Sequence, residues 1–137
     1  MLCSFTLLHF AKIFLKKMEE KKEKNEFYVI QKLYDYIMWI TPLINRLPRD
    51  KKFGIGDRLL NKLYDIMELL LIARYEKNNR QKVLKEANIK LEMSRMYQRL
   101  IIDEKLWNLS RFEFASKSIN EVGALIGSWI KNINQDK

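Results

Sequence analysis

The stretch Phe112–Ile133, FEFASKSINEVGALIGSWIKNI, decides the fold class. Apolar residues fall at Phe112, Ala115, Ile119, Val122, Ile126, Trp129 and Ile133, alternately three and four apart, which is one face of an α-helix and not of a strand. Ser110, with Glu113 three residues on, reads as a capping box that starts this helix. Gly123 and Gly127 sit four apart on one face, where small residues let a neighbouring helix backbone come close.

The same period runs back through the chain. From Glu26 to Leu47 the stripe is Leu33, Ile37, Ile40, Ile44 and Leu47. Pro42 lies inside it and removes the amide that would bond the Met38 carbonyl, which predicts a kink, and Pro48 ends the helix. Arg49–Gly56, RDKKFGIG, holds two of the four glycines and a charge run, and reads as a connection. Asp57 is placed to cap a second helix reaching about Tyr75, striped by Leu59, Leu63, Ile66, Leu70 and Ala73. Leu60, Tyr64, Met67, Leu69, Leu71 and Ile72 lie off that stripe, so this helix is either the most central of its domain or a surface for self-association.

The run Lys77–Arg80, KNNR, breaks the pattern. A third helix then covers about Gln81 to Asp103, with Leu84, Ala87, Leu91, Ser94, Gln98 and Ile101 as a more polar seam and Met93, Met96, Tyr97 and Leu100 beside it. Four helices of roughly 20 residues with short connections predict an all-α, up-down-up-down four-helix bundle over residues 26–135.

Residues 1–25 form an N-terminal extension, apolar and then Lys/Glu-rich. Its stretch 2–15, LCSFTLLHFAKIFL, is interrupted by Lys12, lacks a basic leader and a small-residue cleavage site, and is too short to cross about 30 Å of hydrocarbon. An interfacial helix stays compatible with it. Met18 opens MEEKKEKNEFYVIQKLYDY, a typical soluble start, so a competing reading is that translation begins there and residues 1–17 are an upstream extension. A membrane is not the expected partner, and the expected compartment is cytoplasmic.

The 137 residues leave room for one domain, and four Gly and two Pro are too few for a sandwich or barrel of many short strands. Cys3 and His9 are the single residues of their kinds, which excludes a Cys/His metal cluster, an internal disulfide and a Cys-His nucleophile pair. No Gly-rich phosphate loop is present. Asp65, Glu68, Glu86 and Glu92 suggest a di-iron set, but its Glu-x-x-His motif cannot be built from His9, so ion pairs on helix faces are the better reading. No cofactor, metal or enzymatic activity is expected.

Charge points to a polyanion. Twenty-six Lys plus Arg against seventeen Asp plus Glu give a formal net charge of +9, a self-repulsion that nucleic acid would relieve. Alternating helices collect these cations at two ends. One end receives Arg46, Arg49, Lys51, Lys52, Arg58, Lys105 and Arg111; the other receives Lys77, Arg80, Lys82, Lys85, Lys131 and the lysines of residues 16–24. Phosphate contacts of this kind give salt-sensitive affinity without sequence readout. Phe53, Trp107 and Phe112 lie near the first end and could stack bases, but aromatics at helix ends are more often lids on the core.

Three stretches carry a resemblance: YDYIMWITPLINRLPRDKKFGIGDRLL (Tyr34–Leu60), IARYEKNNRQKVLKEANIKLEMSRM (Ile72–Met96) and FEFASKSINEVGALIGSWIK (Phe112–Lys131). In this order they resemble the Avd proteins, the accessory variability determinants of diversity-generating retroelements, over about Phe27 to Lys131. The resemblance implies a ring-like homopentamer of four-helix bundles that binds RNA and DNA with low sequence specificity and associates with the element's reverse transcriptase. It implies a non-catalytic role in mutagenic retrohoming. Asp57, Arg58, Asn88, Glu92, Asn120 and Gly123 match family positions and are read as mostly structural. The implied contact residues are Arg46, Arg49, Lys52, Arg58, Arg74, Lys90, Arg95 and Arg99. A related four-helix-bundle family, encoded in intervening sequences of 23S ribosomal RNA genes, is the alternative. That family's Gln-x-x-Arg-Arg and Ser-x-x-Ile-Ala-Glu-Gly stretches are replaced here by GDRLLNKLYDIMELLLIARY. A basic membrane-surface protein is a third reading.

Overall fold

The computed structural model describes residues 2–135, with side chains from Leu7 onward, so Met1, the Cys3 side chain, Asp136 and Lys137 lie outside the described residues. Four long helices, α1 (Leu2–Asn45), α2 (Asp57–Tyr75), α3 (Arg80–Asp103) and α4 (Leu109–Gln135), make up the bundle. Each packs on its neighbour in the chain, and α4 closes back on α1. The expected all-α four-helix bundle is the architecture found.

The stripes read from the sequence are the core. Leu33, Ile40 and Ile44 of α1, Leu59, Leu63, Ile66 and Leu70 of α2, Leu84, Leu91 and Ile101 of α3, and Ile119 and Ile126 of α4 are fully buried. Each such side chain contributes about 1.5–3 kcal/mol relative to exposure. The polar members of the α3 seam are buried and satisfied. The Ser94 hydroxyl donates to the Lys90 carbonyl at 3.0 Å, and the Gln98 amide donates to the Tyr36 hydroxyl from across the core. Burial pushes the Tyr36 phenol up, which holds it neutral.

The first helix does not begin near Glu26. It is one element of 44 residues that passes through Pro42 without a break. What changes near residue 26 is burial. Leu7, Leu8, Phe10, Phe14 and Leu15 are exposed, and the first buried one among the described side chains is Val29. A helix satisfies its own backbone, so it continues beyond the packing that stabilises the rest of it.

The structure differs from the sequence expectation at four further places. Arg49–Gly56 is no loop but a helical turn, Arg49–Lys51, followed by a π-helical turn, Lys52–Gly56, that runs directly into α2. Pro48, not Asp57, stands at the cap, extended at φ −52° and ψ 147°, while Asp57 is already helical. Proline is well suited to the start of a helix because its missing N–H has no partner to lose there. Charge runs and glycines resemble a loop in sequence, yet Gly56 serves packing: a Cβ there would lie 2.8 Å from Ile44 Cγ2.

Third, Asn108 caps α4 in place of Ser110, its Oδ1 accepting from the Arg111 amide at 2.8 Å. Asn and Ser are comparable caps, and Asn108 comes first. Fourth, Gly123 meets side chains and not a helix backbone. A Cβ there would lie 2.9 Å from Leu91 Cδ2 and 2.6 Å from an Arg95 guanidinium nitrogen, while nothing lies within 4 Å of the Cβ position at Gly127.

Candidate nucleic-acid interface

The ends of the bundle place the candidate cations. Lys51 Nζ lies 3.0 Å from Glu104 Oε2, which ties the α1–α2 connection to the α3–α4 turn and puts both at one end. That carboxylate pulls the Lys51 ammonium above its usual range by hydrogen bonding and charge. Beside the pair, Arg46, Arg49 and Arg58 are exposed, and Lys52 extends over the Phe53 ring, 5.4 Å from its centroid. Arg58, Tyr97, Leu100 and Glu104 help line a shallow depression there. Lys105 marks the turn with a left-handed backbone, φ 61°. Its amide donates to the Ile102 carbonyl and that of Leu106 to Ile101, the pair of bonds that stops a helix with a residue in this conformation.

Lys90, Arg95 and Arg99 lie along α3 and face carboxylates. Lys90 Nζ sits 3.3 Å from Asp65 Oδ2 on α2. Arg95 pairs with Glu92, and its Nε donates to Asn120 Oδ1 on α4 at 3.0 Å. Arg99 is exposed, 3.8 Å from Asp103. Lys90 and Arg95 therefore connect helices, and their charges are partly spent inside the protein.

Arg74 is at the opposite end, stacked over Phe27 and Tyr75 at 5.5 and 5.8 Å. That end is organised by Arg80, which by sequence is one surface cation among several. Arg80 Nε donates to the Ala73 carbonyl at 2.6 Å and a terminal nitrogen to the Arg74 carbonyl at 3.0 Å, closing the last turn of α2. The same guanidinium lies 3.7 Å from Glu26 and 5.8 Å from the Trp129 ring centroid. Burial raises the Glu26 carboxyl above its ordinary range, and Arg80 and then Arg74 pull against that shift. The signal available in sequence was an arginine just past a helix end, where orphan carbonyls wait for a donor.

Four of the eight candidate residues, Arg46, Arg49, Lys52 and Arg58, thus come together at one end, while the other four are distributed along α3 and at the far end. Of the three aromatics considered for stacking, Trp107 is buried and Phe112 half-buried, as lids on the core, whereas Phe53 is 63% exposed. Among the described residues no group of His, Cys, Asp or Glu could hold a metal ion, and no helix is long and apolar enough to cross a membrane.

A family model described as bAvd-like matches residues 27–133. The chain belongs to the bAvd-like family. The match takes in α2, α3 and nearly all of α4 but only the packed part of α1, so what defines this bAvd-like chain as a family member is the bundle and not its N-terminal extension. It agrees with the resemblance to Avd-type proteins carried by the three stretches above. No curated protein matches the chain.

Proposed function

We propose that the chain is a non-catalytic accessory protein of a diversity-generating retroelement. In this reading it binds template RNA and cDNA through their phosphates, associates with the element's reverse transcriptase, and so supports mutagenic retrohoming. The observation that carries the proposal is the bAvd-like match across the whole bundle. The exposed Arg46, Arg49 and Arg58 at one end supply the electrostatic footprint that phosphates require.

A ring-like homo-oligomer, expected as a pentamer, belongs to the same proposal. Ile89, Met93, Met96 and Leu100 follow one another at intervals of four, three and four along α3 and are 43–59% exposed. They lie opposite the buried seam of Leu84, Leu91 and Ile101, so α3 is apolar on two faces, of which the bundle covers one.

The test combines the purified full chain with the reverse transcriptase of its own element and the template RNA. The expected result is co-elution of all three in low salt, with the nucleic acid lost steeply as salt rises. Retention that is indifferent to salt, failure to associate with the polymerase, or a strictly monomeric chain in light scattering would each remove the corresponding part of the proposal.

A further inference from the structure

We propose that Phe53 is a stacking platform for an unpaired base, so that the Pro48–Arg58 end takes single-stranded nucleic acid in preference to duplex. The inference rests on the nucleic-acid reading above and adds to it a form of ligand and a residue. Its first support is the wide turn. Asp57 donates its amide both to the Gly54 and to the Lys52 carbonyl, the latter five residues back, so Lys52–Gly56 holds one residue more than an α-turn would.

That extra residue changes the direction in which the side chain leaves the helix. In an unbroken α-helix Phe53 would stand seven residues before Leu60, about two turns, on the edge of the buried stripe of α2. With one residue added, Phe53 is rotated by about 100° from that position, and its ring is 63% exposed. Gly56 permits the wide turn by letting it close against Ile44 of α1, and nothing lies within 4 Å of the Cβ position at Gly54, the residue following the ring.

The second support is charge. Arg49 precedes Phe53 by one helical turn, Lys52 reaches over the ring, and Arg46 and Arg58 are exposed on either side in sequence. Among the described residues of this run, Lys51 alone is paired with a carboxylate, Glu104. An exposed ring within a group of cations matches a strand whose phosphates are neutralised while a base lies flat on the aromatic face. A duplex keeps its base faces stacked inside, where an aromatic ring cannot lie against them.

The experiment measures fluorescence anisotropy of a single-stranded oligonucleotide, the same oligonucleotide with abasic positions, and a duplex, each with the full chain and with Phe53→Ala and Phe53→Trp. Phe53→Ala is expected to weaken the single strand about tenfold, within the range for one stacked base. It should leave the duplex, the abasic strand and the salt slope unchanged, and Phe53→Trp should keep the affinity. An undiminished single-strand affinity overturns the stacking site while leaving the phosphate reading intact. Wild-type chain that binds none of the three probes overturns both. If Phe53→Ala lowers every affinity together and also lowers the mass in light scattering, Phe53 is a contact between copies and the proposal fails.

Discussion

The two ends of the bundle hold similar runs of cations and use them differently. At the Arg80 end the guanidinium is turned inward, onto the Ala73 and Arg74 carbonyls, Glu26 and Trp129, and Arg74 lies on two aromatic rings. At the Pro48–Arg58 end Arg46, Arg49 and Arg58 face water. Formal charge is therefore a poor measure of what a surface can offer a phosphate. What matters is whether carbonyls and carboxylates of the protein itself have already taken the donors.

The contrast can be broken most sharply at Arg80. Arg80→Ala leaves two helix-end carbonyls and a half-buried carboxylate without their donor, and is expected to cost about 2–4 kcal/mol in chemical denaturation. A loss within the noise of a surface substitution would show that this end is no more structural than the other. The converse change, Arg49→Glu with Lys52→Glu, should lower nucleic-acid affinity at least about tenfold, equivalent to about 1.4 kcal/mol. The midpoint of unfolding should hardly move, and equal binding by the double variant would take the interface away from this end.

A smaller effect comes from Glu26. Burial raises its carboxyl above the ordinary range, so the folded chain keeps a proton at pH values where the unfolded chain has released it. Folding stability should accordingly fall as pH rises through the window just above the usual carboxylate range, and Glu26→Gln should flatten that slope. An unchanged pH profile of unfolding in the variant would assign the slope to other groups.

Much of this was legible in the sequence because burial has a period. The α3 seam from Leu84 through Ser94 and Gln98 to Ile101 is buried at every position read from spacing alone. The junctions were not legible in the same way. RDKKFGIG has loop composition, but its Gly56 packs against Ile44, a residue of α1 that a local reading does not weigh. The cap of α4 slipped by two residues because Asn108 and Ser110 are both good caps and the choice depends on where the preceding helix stops. At the candidate site the sequence could count arginines. It could not tell Arg80, which is bonded to backbone, from Arg49, which is exposed, because the carbonyls and the carboxylate of Glu26 that hold Arg80 come from other parts of the chain.

The long first helix has a further consequence. Residues 29–44 hold the core side chains Val29, Leu33, Tyr36, Ile40 and Ile44, whereas Leu7, Phe10, Phe14 and Leu15 are exposed. Helical hydrogen bonds run along the rod on both sides of Pro42, but only one part is protected by tertiary packing. Opening the outer part costs little beyond its own intrinsic helicity, while opening the inner part requires the whole domain to unfold. A single unbroken helix thus contains two regimes of protection, and the change from one to the other falls between Leu15, which is exposed, and Val29, which is buried.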